Sequence, residues 1–297
     1  MTSNSLPSHS PNQAYWDVSA LEGGEFLVDS CYFLAGEKPG TKLFMPDLAF
    51  LMRHSTTKEY FLFDLGTRKD LENLTPGMKE IIFPNPPCTV PQDVVESLAK
   101  GGLKPEEIKQ ICISHLHFDH TGDPTFFTNA TFLLGGESKA LISPGYPEDP
   151  KSQYDSRLYP LDRTRFLNVE EPGWVPVGPF PRALDYFKDG SLYIVDAPGH
   201  LQGHINVLVR TSSDGGWLYF GGDSAHCWSL ITGHSEIAGE TGKGCIHVNK
   251  EVAADTIRGI RELSEMPRVK VILAHDEPWY KENKGGDAFW PGKIPSP

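Results

Sequence analysis

A chain of 297 residues, 39% of them hydrophobic, can bury one large core or two small ones. Its net charge is −12 and its 27 Lys and Arg are scattered along the chain, which argues against a phosphate backbone as partner, since nucleic acid calls for a basic face. No apolar run is long enough for a membrane helix, and the five cysteines (Cys31, Cys88, Cys112, Cys227, Cys245) form no CxxC pair, so a reduced, cytoplasmic protein is expected.

The polar, Pro- and Ser-rich start carries no signal-peptide pattern and reads as a disordered leader over residues 1–20, followed by a single domain over 21–297. Strands are predicted at 25–34, 47–54 and 59–66, where β-branched and aromatic residues run between Gly, Pro or charged turns. Residues 90–103 put Val94, Val95 and Leu98 on one helical face, and Gly101–Gly102 end the helix. A buried strand then leads into the stretch ISHLHFDHTGD at 113–123, with another strand at 130–135 and a short helix after it. Residues 145–192 show little periodicity and many prolines and aromatics. They read as a substrate-loop insertion whose aromatics, with Trp228 and the EPWY after His275, wall an apolar pocket or else pack in the core. Strands are predicted again at 191–199, 205–211 and 217–223, then a helix over 249–266 with Asn249 as N-cap, and a last strand ending at His275. Strands followed by a helix, twice over, predict an α/β sandwich of two mixed sheets with helices outside.

Seven ligand-type side chains fall at the C-terminal ends of these strands. His115, His117, Asp119 and His120 crowd into six residues, His200 follows a Pro-Gly turn, Asp223 closes LYFGGD and His275 closes VILAH. Imidazole nitrogen and carboxylate oxygen are the donors zinc takes. Two ions about 3.5–4 Å apart need a bridging carboxylate, and a hydroxide between them is a nucleophile at neutral pH. Alternate residues of an extended stretch share a face, so His115 and His117 can reach one ion. Asp119 and His120, past the turn, can reach a second.

These motifs resemble the metallo-β-lactamase superfamily and, within it, most closely the N-acyl-homoserine lactonases of quorum quenching. SHLHFDHTGD matches the HxHxDH signature, APGHLQGH the second histidine motif, FGGD the bridging aspartate, LAHD the last histidine, and FLFDLG a strand whose aspartate, here Asp64, braces the site from behind. The resemblance covers roughly residues 61–276. It implies an αββα sandwich in which His115, His117 and His200 hold one Zn2+, Asp119, His120 and His275 a second, and Asp223 bridges them, with Fe or Mn as possible replacements. It further implies ring opening of a lactone by the bridging hydroxide, with Asp119 orienting the nucleophile and shuttling a proton. A histidine at 117 favours hydrolysis over the oxygen-reducing di-iron branch, which carries a carboxylate there. An aspartate at 223 argues against the true zinc β-lactamases, many of which use cysteine.

One position departs from the lactonase pattern. Where those enzymes carry a tyrosine three residues after the bridging aspartate, this chain has His226. An imidazole there can donate to a developing oxyanion, or sit as a surface or supporting histidine. The change leaves open a lactamase that opens a cyclic amide or carbamate of benzoxazolinone type, and behind it a glyoxalase-II-like thioesterase. A metal-binding protein without catalysis is the reading from another class. The expected partner is a small, partly apolar lactone or lactam. His204 is read as support for the ligands, and His234 and His247, in a Gly-rich loop, as solvent-facing.

Overall fold

The computed structural model describes residues 5–83, 85–239 and 245–297. Strands β1 (Trp16–Asp29), β2 (Lys42–His54) and β3 (Tyr60–Phe63) run antiparallel in turn. β4 (Cys88–Thr89) pairs with the free edge of β1, and β5 (Ile108–Cys112), β6 (Thr131–Gly135) and β7 (Thr164–Leu167) continue parallel to β3. The result is a seven-stranded sheet in the order β4-β1-β2-β3-β5-β6-β7. The second sheet contains β8 (Trp174–Val177), β9 (Phe180–Asp185), β10 (Leu192–Asp196), β11 (Ile205–Arg210), β12 (Trp217–Phe220) and β13 (Val269–Ile272). Its order is β13-β12-β11-β10-β9-β8, antiparallel except where β12 meets β13. The helices are α1 (Pro76–Ile82), α2 (Val94–Ala99), α3 (Phe118–Thr121), α4 (Trp228–Ile231), α5 (Lys250–Ser264) and α6 (Glu277–Asn283).

Strand alternation sorts the apolar side chains into layers. Leu48, Phe50 and Met52 of β2 meet Ile194, Val207 and Phe220 of the second sheet in the central core. The intervening Ala49 and Leu51 face the layer that holds Val94 and Leu98 of α2. On the far side, Tyr193, Val195 and Tyr219 pack with Ile257, Ile260 and Leu263 of α5. This is the two-sheet sandwich flanked by helices that the strand and helix pattern predicts. Phe50 and Phe220 stack across the sheets with ring centroids 3.9 Å apart. All five cysteines are unpaired, and no helix among the described residues is long and apolar enough to cross a membrane.

Several boundaries differ from the sequence reading. The leader expected over 1–20 stops short, because β1 already begins at Trp16, which is buried and donates its indole N–H to Ser191 Oγ at 2.9 Å. The helix expected over 90–103 starts later, at Val94, where Asp93 and Glu96 form a reciprocal capping box. Residues 145–192 are not without structure: β7 closes one edge of the first sheet, and β8 and β9 extend the second. Their weak periodicity reflects short strands at or next to a sheet edge, none of them buried along its whole length.

The Phe50–Phe220 stack joins the sheets directly beneath the loop that carries Asp223. Phe220→Ala should destabilise the protein by about 3–5 kcal/mol, read from the urea midpoint. A loss below about 1 kcal/mol would show that the inter-sheet core closes over the gap.

Candidate metal centre

The seven ligand-type residues lie where the parallel-running strands of both sheets end. β5 delivers Ser114 and His115, and the chain then turns into α3, with His117 as its N-cap and Asp119 and His120 inside it. β10, β12 and β13 end just before His200, Asp223 and His275. Gly222 is the tight point of this arrangement. Its φ is +46°, and a Cβ there would lie 2.9 Å from Nε2 of His204. That close approach lets His204 Nε2 accept the Asp223 backbone N–H at 3.1 Å.

Two overlapping groups result. His115, His117, His200 and Asp223 present donor atoms within 4.8 Å of one another, as do Asp119, His120, Asp223 and His275. In the first group, His117 Nδ1 lies 2.8 Å from His115 Nε2 and 3.0 Å from His200 Nε2. In the second, Nε2 of His120 and Nε2 of His275 each lie 3.2 Å from Oδ1 of Asp223, and none of these three atoms has a hydrogen-bond partner among the described residues. Oδ2 of Asp223 faces the other way, 3.5 Å from His200 Nε2 and 3.7 Å from His115 Nε2. Asp223 is the one residue common to both groups.

The proton positions follow from the residues behind the rings. Asp64, buried and at φ +61°, accepts from Ser114 N at 2.6 Å, from Ser114 Oγ at 2.8 Å and from His120 Nδ1 at 2.9 Å. With its O–H committed to Asp64, Ser114 Oγ can only accept from His115 Nδ1, 3.0 Å away. His275 Nδ1 donates to the Pro46 carbonyl at 2.8 Å. His115, His120 and His275 therefore turn Nε2 lone pairs inward, onto one another and onto Asp223. The buried Nε2 atoms of His120 and His275 and Oδ1 of Asp223, close together and without a hydrogen-bond partner among the described residues, fit a cation between them.

The electrostatics point the same way. Burial, reinforced by neighbouring imidazoles, holds His115 and His200 well below the ordinary histidine range, and burial lowers His117 as well. These three are neutral, as metal donors must be. Burial opposes charge on His120 and His275 too, but the carboxylates around them outweigh it: His120 is held well above its ordinary value and His275 is raised to about 9. Asp223, despite burial, is driven well below the carboxylate range by His120, His275 and His226. The acidic half of the centre thus demands positive charge, carried either by protons or by a bound cation.

The remaining sequence-predicted residues fall as follows. His226 is buried, with Nε2 3.2 Å from Asp223 Oδ2 and its ring 4.6 Å from that of Phe33, so it is not a surface residue. His204 supports Asp223 through the backbone bond given above. His234 is exposed, as expected. The reading of His247 as solvent-facing is corrected: it is buried, Nδ1 to Nδ1 with His200 at 3.3 Å, and burial holds its pKa down to about 3. Residues 240–244 of its loop lie outside the described residues.

The expected aromatic wall holds in part. Tyr154 and Tyr159 line a pocket with Leu116 and Phe118 of the turn that carries the histidine cluster, whereas Trp279 and Tyr280 belong to the inter-sheet core and Trp228 Nε1 donates to Asp276 at 2.8 Å. Other aromatics beside the centre were not foreseen: the Phe26 ring lies 6.1 Å from that of His275 and 5.9 Å from that of Phe118, and Phe33 stands against His226. Met45 and Cys88 complete this apolar cluster, with Ile246 packed on it. A second residue that sequence reasoning missed is Asp47, fully buried beside the acidic half and raised to about 7 by burial. Nothing in its context, a carboxylate within a strand, marks it as near the centre.

The metallo-beta-lactamase superfamily model matches residues 46–224. The cytochrome P450 monooxygenase mpaDE' of Penicillium brevicompactum is 31% identical over 96% of this chain and 36% of its own length. The metallo-hydrolase mfmC of Annulohypoxylon moriforme is 30% identical, covering 90% of this chain and 80% of that protein. The gamma-lactamase FDB1 of Fusarium pseudograminearum is 33% identical over 60% of this chain and 45% of its own. The chain thus spans about a third of the length of the first of these relatives. Among solved structures, a quorum-quenching N-acyl homoserine lactone lactonase shares the fold with a TM-score of 0.67 at 19% identity, covering 94% of this chain and 98% of that one.

Asp64 satisfies two buried Ser114 donors and one of His120. An unsatisfied buried donor costs about 1–3 kcal/mol, so Asp64→Ala should destabilise the metal-free protein by roughly 3 kcal/mol or more, measured by urea unfolding in chelator. A change within about 0.5 kcal/mol would mean that the bonds to Asp64 do not organise the site.

Proposed function

The chain belongs to the metallo-beta-lactamase superfamily, and from that premise we propose that it is a dinuclear metal hydrolase that opens a lactone ring. The observation that carries the reading is the pair of four-residue groups sharing Asp223, with His120 Nε2, His275 Nε2 and Asp223 Oδ1 buried and without a partner among the described residues. In this reading His115, His117 and His200 would hold one ion and Asp119, His120 and His275 the other, with Asp223 available to both groups. Nitrogen and oxygen donors without sulfur suit Zn2+ first, with Fe or Mn as alternatives. Such ions would polarise the ester carbonyl and lower the pKa of a water nucleophile to near neutrality.

The chain's own residues then divide the remaining work. Asp119, more open than the other carboxylate, has Oδ2 3.6 Å from His275 Nε2 and 4.0 Å from His120 Nε2, and orients the nucleophile and carries its proton. His226, its Nε2 beside the carboxylate that both ions share, donates to the oxygen or nitrogen released when the ring opens. Phe26, Phe33 and Phe118 form an apolar side to the cleft, which favours a substrate with an apolar substituent. Two features support a second reading, a lactamase opening a cyclic amide or carbamate. One is the likeness to a gamma-lactamase. The other is His226 itself, a ring that can donate from the place where the lactonase pattern has a phenol.

Turnover of a lactone and of its matching lactam by the zinc-loaded protein tests both readings. Asp119→Asn should lower kcat by about 10²–10⁴-fold with both metals retained. Loss of His226 should cost about 2.7–4 kcal/mol in kcat rather than in KM. His226→Tyr should restore lactone opening and leave lactam opening impaired. Unchanged rates in His226→Ala would remove that residue from the chemistry, and absence of turnover on both rings would end the proposal.

A further inference from the structure

Each histidine that turns Nε2 toward the centre is fixed at Nδ1 by an acceptor behind it. For His115 this is Ser114 Oγ, for His120 it is Asp64, and for His275 it is the Pro46 carbonyl. His200 follows the same geometry, but among the described residues no oxygen bonds its Nδ1. Its Nδ1 lies 3.3 Å from Nδ1 of His247, with the two rings at 80° and 5.0 Å between centroids.

We propose that His247 is the positioning residue of His200, accepting its Nδ1–H so that the Nε2 lone pair stays aimed at the centre. The inference rests on the metal-centre reading given above. The backbone around His247 is built to hold the pair. Val248 N donates to the His200 carbonyl at 3.0 Å and Asn249 N to the Gly199 carbonyl at 2.9 Å, and Thr256 Oγ1 of α5 donates to the Pro198 carbonyl at 2.8 Å. Gly199, at φ +122°, lets the turn close on α5: a Cβ there would lie 2.3 Å from Ala253 N. These contacts tie the start of α5 and the residues that flank His247 to the His200 turn.

The choice of acceptor has a chemical consequence. His120 is backed by a carboxylate and shares its group with Asp119, whereas His115 and His200 are backed by an uncharged hydroxyl and an uncharged imidazole. An ion on the His200 side receives less negative charge from its surroundings, so it is the stronger Lewis acid and the more weakly held of the two. His247 therefore bears on the affinity of that ion alone.

Zinc binding by the wild type, His247→Phe and His247→Asn, measured by competition with a chromophoric chelator, tests this. Phe keeps a ring and removes the acceptor, while Asn places an oxygen near the position of Nδ1 and restores it. One of the two equivalents should bind about 10–100-fold more weakly in H247F and close to wild type in H247N, with the other equivalent unchanged. The visible spectrum of the cobalt-loaded proteins should follow the same order. Wild-type affinity for both equivalents in H247F would overturn the proposal, as would an H247N as weak as H247F, which would make ring packing the cause. A wild type that binds no zinc would overturn the metal-centre reading itself, and that result is read from the wild-type arm alone. Should H247F fail to fold, zinc-loaded wild type with 15N-labelled histidine decides: a coupling between the two Nδ1 nitrogens across the N–H···N bond is expected, and its absence overturns the inference.

Discussion

The carboxylate of Asp64 settles where the protons of the centre lie. By accepting from the Ser114 hydroxyl and from His120, it commits one ring directly and a second, His115, through the serine. A carbonyl at Pro46 does the same for His275. The lone pairs of two separate loops are thereby turned onto one point, and Asp223 stands in their midst with an oxygen toward each group. Remove the bracing and the same residues would be free to exchange tautomers and satisfy one another by ordinary hydrogen bonds.

The fold supplies the rigidity this requires. The bracing residue, the histidine cluster and Asp223 each follow a strand whose side chains are locked in the inter-sheet core, so their loops leave fixed points. The two halves are also joined across the site itself: Ile205 N donates to the Ser114 carbonyl and Leu48 N to the Ala274 carbonyl. Burial then amplifies the charges. Asp223, His120 and His275 lie out of water, where opposite charges act on one another far more strongly than at the surface.

Legibility from sequence followed the length of the signal. The two-sheet sandwich and α5 could be read because long apolar periodicities and an N-cap marked them, and the seven ligand-type residues because each closes a strand with a polar group. The bracing role of Asp64 needed the family resemblance, since a lone aspartate after FLF has many ordinary uses. What escaped was set by contacts between distant segments. His247 is buried because backbone bonds draw its loop onto Gly199 and His200, and no local pattern of a Gly-rich loop encodes that. The aromatic side of the cleft was assigned to residues 145–192 and EPWY by composition; Tyr154 and Tyr159 do line a pocket with Phe118, but EPWY lies in the core and Phe26 and Phe33 come in from β1 and the turn after it. Composition shows that aromatics exist; the register of β1 against β2 decides which of them reach the site.

The central claim is that seven side chains form one centre for two ions sharing Asp223. Anomalous scattering from a crystal of the zinc-loaded protein, collected on either side of the zinc absorption edge, tests it most directly. The account predicts two peaks about 3.5–4 Å apart, one among His115, His117 and His200, the other among Asp119, His120 and His275, with Asp223 between them. A single peak, or two that leave Asp223 outside, would contradict it.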